Sequence, residues 1–301
     1  MSCIVRKQTL FILSLFEIKF KLRDMRRIPL LLLSTLLFAS CSSIRYAGVN
    51  RVREYSISSP DVPEGFDGYR IAFASDFHLR SKFKERQLHG TVKALQAVAP
   101  DMLLLGGDYQ EGCEYVEPLF VELSSISTPD GTYAVLGNND YERCTDLIRS
   151  EMQKQGINLL EDATATIHRG NDSIVIWGAN AYARRYPSAI QKGDITQNPQ
   201  TRIIEPTDFV ILLTHTPDYV EDADISGVDL ALAGHTHGGQ VTLFGLYAPI
   251  TASKYGNKFR TGLRYNSQEI PIIISGGLGT SRRNIRFCAP TDIVVVTLQS
   301  K

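Results

Sequence analysis

From Tyr69 onward, short apolar runs alternate with amphipathic stretches, and nearly every run ends in a polar cluster. An apolar run bounded by turn residues predicts a buried strand; apolar positions at three- and four-residue spacing predict a helix. Residues 71–74, 102–105 and 133–136 are of the first kind. Residues 86–98 and 115–126 are of the second, closed by Pro100 and Pro129. The second half is richer in strands, expected at 173–178, 209–213, 230–233, 240–244, 270–274 and 292–298. An alternating stretch at 49–57 reads as an edge strand at the end of a tether, 42–68. Strands alternating with helices make this an α/β chain. The strand count fits two packed sheets flanked by helices better than one sheet, and with no long linker in sight, one domain is expected over 69–301.

The first forty residues change the charge balance. Residues 25–41 read MRRIPLLLLSTLLFASC: two arginines, an apolar run over 30–39, small residues, then Cys41. This is a secretory signal pattern whose apolar run is shorter than the roughly 20 residues of a membrane span. Its ending resembles a bacterial lipobox, with Phe38 where leucine is usual, and makes Cys41 a lipidation candidate. An uncleaved N-terminal anchor is the alternative. Because the signal is complete from Met25, the start can be Met1 or Met25. From Cys41 on, the chain carries 25 basic against 30 acidic residues, which gives no electrostatic reason to expect a nucleic-acid partner. Cys113, Cys144 and Cys288 form no CxxC pair and are expected to be ordinary buried or half-buried residues.

The polar clusters carry the chemistry. Residues 71–74 deliver Ser75-Asp76-Phe77-His78, residues 102–105 deliver Gly106-Gly107-Asp108, and residues 133–136 deliver Gly137-Asn138-Asn139-Asp140. Later come His215 and the stretch Gly234-His235-Thr236-His237-Gly238-Gly239-Gln240, whose two imidazoles at i and i+2 can face one cleft. Singly, each has a plainer use, as a helix cap or a turn. Together, Asp76, His78, Asp108, Asn138, His215, His235 and His237 form a mixed carboxylate, amide and imidazole set that suits Mn, Fe or Zn better than Ca. Seven donors are too many for one tetrahedral ion and about right for two ions sharing a bridge. His89 and His168 stand apart from this set.

DFH, GGD, GNND, THTPD and GHTHGGQ, in this order and spacing over 69–298, resemble the calcineurin-like metallophosphoesterases. The closing GGLGT, Arg286-Phe287 and Ala289-Pro290 resemble the branch of YkuE- and YaeI-type phosphodiesterases, which includes a UDP-2,3-diacylglucosamine pyrophosphatase. The resemblance implies an αββα fold, two mixed sheets between helices, with a dimetal site at the strand ends. It implies that Asp76, His78 and His237 bind one divalent ion, that Asn138, His215 and His235 bind the other, and that Asp108 bridges them. Such a pair activates water for in-line attack on phosphorus. Arg80, Arg282, Arg283 and Arg286 are phosphate-binding candidates through their planar forks. The usual GNH[DE] is here Gly137-Asn138-Asn139-Asp140, so Asn139 and Asp140 stand where the family places catalytic groups. An amide cannot give a proton at neutral pH, which favours pyrophosphate or aryl diester bonds over alkyl monoesters. The expected substrate is a small-molecule or lipid-linked phosphate, handled by an exported, membrane-associated enzyme. A lipid A precursor hydrolase on a cytoplasmic-face anchor, and a catalytically weak metal-binding protein, are the alternatives.

Overall fold

The computed structural model describes residues 49–80, 85–182 and 208–301. The expected leader, Cys41 and the choice between Met1 and Met25 lie outside the described residues. Residues 44–301 form one compact unit, which holds both sheets with all their strand pairings. No helix among the described residues is long and apolar enough to cross a membrane.

Among the described residues, twelve strands form two six-stranded mixed sheets. In chain order the strands are β1 Arg51–Ser59, β2 Arg70–Ala74, β3 Met102–Leu105, β4 Thr132–Ala134, β5 Asn158–Leu159 and β6 Ala163–Arg169, then β7 Asp172–Ala179, β8 Phe209–Thr214, β9 Leu230–Ala233, β10 Gly262–Tyr265, β11 Pro271–Ile274 and β12 Asp292–Ser300. The helices are α1 Glu85–Ala97, α2 Val116–Ser124, α3 Asn138–Glu142, α4 Thr145–Lys154 and α5 Pro217–Asp222. One sheet has the order β1-β12-β2-β3-β4-β5; the other has β10-β11-β9-β8-β7-β6. β2, β3, β4 and β5 are parallel, as are β7, β8, β9 and β11, so in each sheet the consecutive strands end at one edge.

The two-residue period of a strand decides which side chains meet. Ile71 and Phe73 point between the sheets, where they join Met102, Leu104, Ile176, Ile211, Leu232 and Ile273 in one core. Their neighbours Ala72 and Ala74 face the other way, onto Leu88, Leu95, Phe120 and Met152 of the helices. The second sheet does the same: Val210, Leu212 and Ala231 pack on Tyr219 and Val220 of α5. Because strands such as β3 and β8 are buried on both faces, they read as continuous apolar runs.

Two expectations are corrected. Residues 240–244 are not a strand: Gln240 (φ 52°) and Phe244 (φ 53°) turn the backbone, leaving single bridges from Val241 to Phe287 and from Leu243 to Tyr247. Cys113 and Cys144 are not ordinary thiols but a disulfide, with Cα atoms 5.6 Å apart across a sequence separation of 31. β5 and β10 are further elements that the hydrophobic pattern does not single out, because one has only two residues and the other is a half-polar edge strand.

Candidate metal centre

Five strands deliver the site. β2 runs into Asp76 and His78, β3 into Asp108, β4 into Asn138, β8 into His215, and β9 into His235 and His237. Asp76, His78, Asp108, His235 and His237 all have left-handed backbones, with φ between 43° and 70°. Non-glycine residues rarely sit there, and such strain gathers where the surrounding structure holds side chains for a purpose. Space is made by glycines: a Cβ on Gly137 would collide with the Asp108 carboxylate, and one on Gly234 with that of Asp76. His215 leads directly into α5, which Thr216 caps and Pro217 opens, so THTPD is a strand end and a helix start in one.

The donor atoms gather in two clusters, Asp76 with His78 and His237, and Asp108 with His215 and His235. His78 Nε2 lies 3.0 Å from His237 Nε2, and His237 Nε2 lies 3.4 Å from Asp76 Oδ1. In the second cluster His215 Nε2 lies 3.1 Å from His235 Nδ1. Asp108 Oδ2 is 3.4 Å from His215 Nε2 and also 3.4 Å from His78 Nε2, so this one oxygen faces both clusters. His235 and His237 therefore share one cleft but belong to different clusters.

The surrounding groups aim these donors. His78 Nδ1 is 2.7 Å from Glu111 Oε1, and His215 Nδ1 is 2.7 Å from the Gly106 carbonyl, which leaves each Nε2 turned to the site. The backbone N–H of Asn139 donates to Asp108 Oδ1, leaving Oδ2 inward. The backbone N–H of His235 donates to Asp76, and Ser75 Oγ–H donates to Asp76 Oδ2. Asp140 lies behind the cleft, fully buried, accepting from the N–H groups of Asp108, Tyr109 and Gly137, so it braces both ligand loops.

The electrostatics call for cations. Asp76 and Asp108 are buried, and an isolated buried carboxylate is costly. Burial would lower His215, but Asp108 outweighs it and raises the imidazole to about 10. Burial opposes His78 in the same way, and Glu111 with Asp108 still raises it. Asp108 is held below the usual carboxylate range by His215 and His78 against the effect of burial. Burial and the neighbouring His215 push His235 down to about 4, and burial with His78 pushes His237 well below the usual imidazole range. Two imidazoles thus offer lone pairs, and the other two are drawn toward the charged form by the same carboxylates that a divalent ion would face. Asn138 Oδ1 is buried with no hydrogen-bond partner among the described residues, an orphaned acceptor in the lining of the same cleft. The set fits two divalent ions.

The cleft is about 460 Å³ and is lined by Asp108, Glu111, Asn138, Asn139, His235 and Arg282 among others. Asn139 Nδ2 lies 3.1 Å from His78 Nδ1 and donates to Glu111 Oε1 at 3.3 Å. Of the four arginines, Arg282 lines the cleft and Arg283 is exposed beside it. Arg80 donates to the Thr280 carbonyl, and Arg286 donates to the carbonyls of Gly276, Gly277, Gly279, His237 and Ala289. Those contacts tie loops together. Glu111 and Tyr182 were not among the sequence candidates. Glu111 follows Asp108 by three residues, a proximity that could have flagged it. The Tyr182 ring, 5.9 Å from that of His215, is placed by tertiary packing alone.

Comparison with known proteins identifies the family. The family model for calcineurin-like phosphoesterases matches residues 69–239. The chain is 29% identical over 252 residues to the uncharacterized metallophosphoesterase YkuE of Bacillus subtilis, covering 82% of this chain and 85% of that protein. It is 29% identical over 255 residues to an uncharacterized metallophosphoesterase of Aquifex aeolicus, covering 83% and 92%. Among solved structures, a dimetal phosphatase from Danio rerio aligns at a TM-score of 0.38 and 10% identity over 70% of this chain and 88% of its own. With more than half of its length matched by the family model and its strand-end donors gathered as described, this chain belongs to the calcineurin-like phosphoesterase family and is a metal-dependent phosphoric ester hydrolase.

Proposed function

We propose that this hydrolase cleaves phosphodiester or pyrophosphate bonds in preference to alkyl monoesters, with two ions of the Mn, Fe or Zn kind, at a membrane outside the cytoplasm. Asp76, His78 and His237 would hold one ion, Asn138, His215 and His235 the other, and Asp108 Oδ2 would serve both. Bound divalent ions supply an acidified water and charge to offset the phosphoryl oxygens. The protein's own groups do the rest. Glu111 and the Gly106 carbonyl fix the two histidine rings, Asp140 fixes the loops, and Asn139 Nδ2 offers a hydrogen bond to a phosphate oxygen. Arg282, on the cleft wall, would hold a second phosphate or an acidic leaving group.

The observation that carries the bond preference is Asn139. It lines the cleft beside Glu111 and His78, where an acid would act on the departing oxygen, and its amide has no proton to give. Leaving groups that depart as stable anions, such as aryl oxides or phosphates, need none. The test is turnover of an aryl phosphodiester against glycerol phosphate with Mn, each corrected for bound metal. A high ratio supports the reading, and comparable rates refute it.

Two observations support a site of action outside the cytoplasm: the signal pattern ending at Cys41, and the Cys113–Cys144 disulfide, since such bonds persist in oxidising compartments. The disulfide argues against the reading as a lipid A precursor hydrolase, whose UDP-linked substrates are cytoplasmic. Palmitate labelling that depends on Cys41 tests the membrane attachment.

A further inference from the structure

Immediately after the metal-binding GHTH stretch, the chain displays an apolar surface that its own packing does not use. Leu246 is 81% exposed, Ile250 79%, Leu243 and Phe244 59% each, Tyr247 54% and Phe287 46%. These residues are not on a loose tail. Leu243 N–H donates to the Tyr247 carbonyl, Thr242 N–H to that of Phe287, and Phe287 N–H to that of Gln240. From beneath, Arg260 donates to the Gly245 carbonyl and Asn257 clamps both backbone groups of Ala248. The backbone is braced by buried Arg260 and half-buried Asn257, while the large apolar side chains stand in water, the mark of a surface made for contact.

The charge around it is selective. Of the seven lysines and arginines between Gly238 and Thr291, Lys254 and Lys258 pair with Asp222 and Glu221, and Arg260 and Arg286 turn inward onto backbone carbonyls, whereas Arg282 and Arg283 face solvent. Arg282 and Arg283 are exposed on the loop that pairs with this hairpin through Phe287. Apolar tips beside a loop with two exposed guanidinium groups match the interface of a bilayer bearing anionic headgroups. The course of the chain points the same way. Asn50, the second described residue, is bonded to Thr291, four residues beyond Phe287. Residues 42–48 then allow at most roughly 30 Å of chain between Val49 and Cys41. A lipid on Cys41 would therefore keep this surface close to the membrane.

We propose that the hairpin at 241–250 and the loop at 282–287 form a bilayer-docking surface that sets the mouth of the cleft against anionic lipid. Ile250 and Arg282 belong both to this surface and to the cleft lining, so a phosphate at headgroup depth is presented directly to the metal centre. Docking adds to the proposed function a contact that does not depend on the leader. Its test needs neither metal nor turnover, so failure of either reading leaves the other standing.

The experiment uses residues 44–301, the compact unit that holds both sheets, with chelator. Co-sedimentation is measured with vesicles of phosphatidylcholine plus phosphatidylglycerol, and with phosphatidylcholine alone. We expect binding to the mixed vesicles, reduced at least about tenfold by Leu243→Ser with Leu246→Ser, since two exposed leucines lose their burial in lipid. Arg282→Gln and Arg283→Gln should each reduce binding to the anionic vesicles about fivefold and leave neutral vesicles unaffected. If the leucine variant alters the melting temperature, Phe244→Ser with Tyr247→Ser takes its place. Absence of vesicle binding, or equal binding by wild type and variants, overturns the proposal. So does a lipid-free dimer that the leucine variant abolishes, with no vesicle binding, which would make the surface an interface between copies of this chain.

Discussion

Replacing Asn139 by histidine should give the site the acid it lacks. The amide nitrogen of Asn139 lies 3.3 Å from Glu111 Oε1, and the Glu111 carboxyl is held below its usual pKa by the bond to His78. An imidazole at 139 would therefore stand beside an ionised carboxylate. An opposite charge at such distance raises a histidine by about 1–3 pKa units from about 6.5, so the ring would be protonated at neutral pH. General acid catalysis contributes about 10²–10⁴-fold, and only where the leaving oxygen needs a proton. Asn139→His should thus raise turnover of glycerol phosphate by about 10²-fold, and that of a nitrophenyl diester by less than about threefold. The assay is phosphate release from one substrate and nitrophenolate release from the other, with metal content measured on both proteins. An unchanged ratio, at equal metal content, refutes the argument that the amide limits the choice of leaving group.

Other expectations follow from the same geometry. Asp108→Asn removes the oxygen that faces both clusters, so activity should fall at least about 10³-fold and the metal-induced rise in melting temperature should largely disappear. In chelated protein, His215 has its folded pKa raised above the unfolded value. Its stabilising contribution is therefore full below about pH 6.5 and is lost as pH rises through about 10. Melting curves across that window should show the slope without metal and lose most of it with Mn bound, because the ion takes the place of the proton. Removing the disulfide by Cys113→Ser with Cys144→Ser should cost about 3–4 kcal/mol, given the 31-residue separation. For a domain of this size that is roughly 6–15 °C in melting temperature, and a change under about 2 °C would show that the cross-link does not constrain the unfolded chain.

The sequence made the strand-end donors legible because apolar runs of four to six residues leave only a few places for acids, amides and histidines to follow. Asp76, His78, Asp108, Asn138, His215, His235 and His237 could be named from that pattern, since strands ending at a common sheet edge bring their next residues together. What aims them was not legible. Glu111 acts on His78 through a loop conformation, and the Gly106 carbonyl has no side-chain signature. The residues at 240–244 show why pattern alone misleads: Q-V-T-L alternates well enough for a strand, yet positive φ at Gln240 and Phe244 turns the backbone into an outward hairpin. The pairing of Cys113 with Cys144 was hidden for another reason. Three unpatterned cysteines carry no connectivity, and only the packing of α2 beside α4 brings the two together.

That cross-link makes the protein a record of its own biosynthesis. A chain that folds in a reducing cytosol retains three thiols among Cys113, Cys144 and Cys288, whereas one that folds after export retains only Cys288. Alkylation of the protein taken directly from its native cells, followed by mass analysis, reads that history from a single sample. It needs no substrate, metal or membrane fraction, and it reads the redox state of the compartment in which the chain folded.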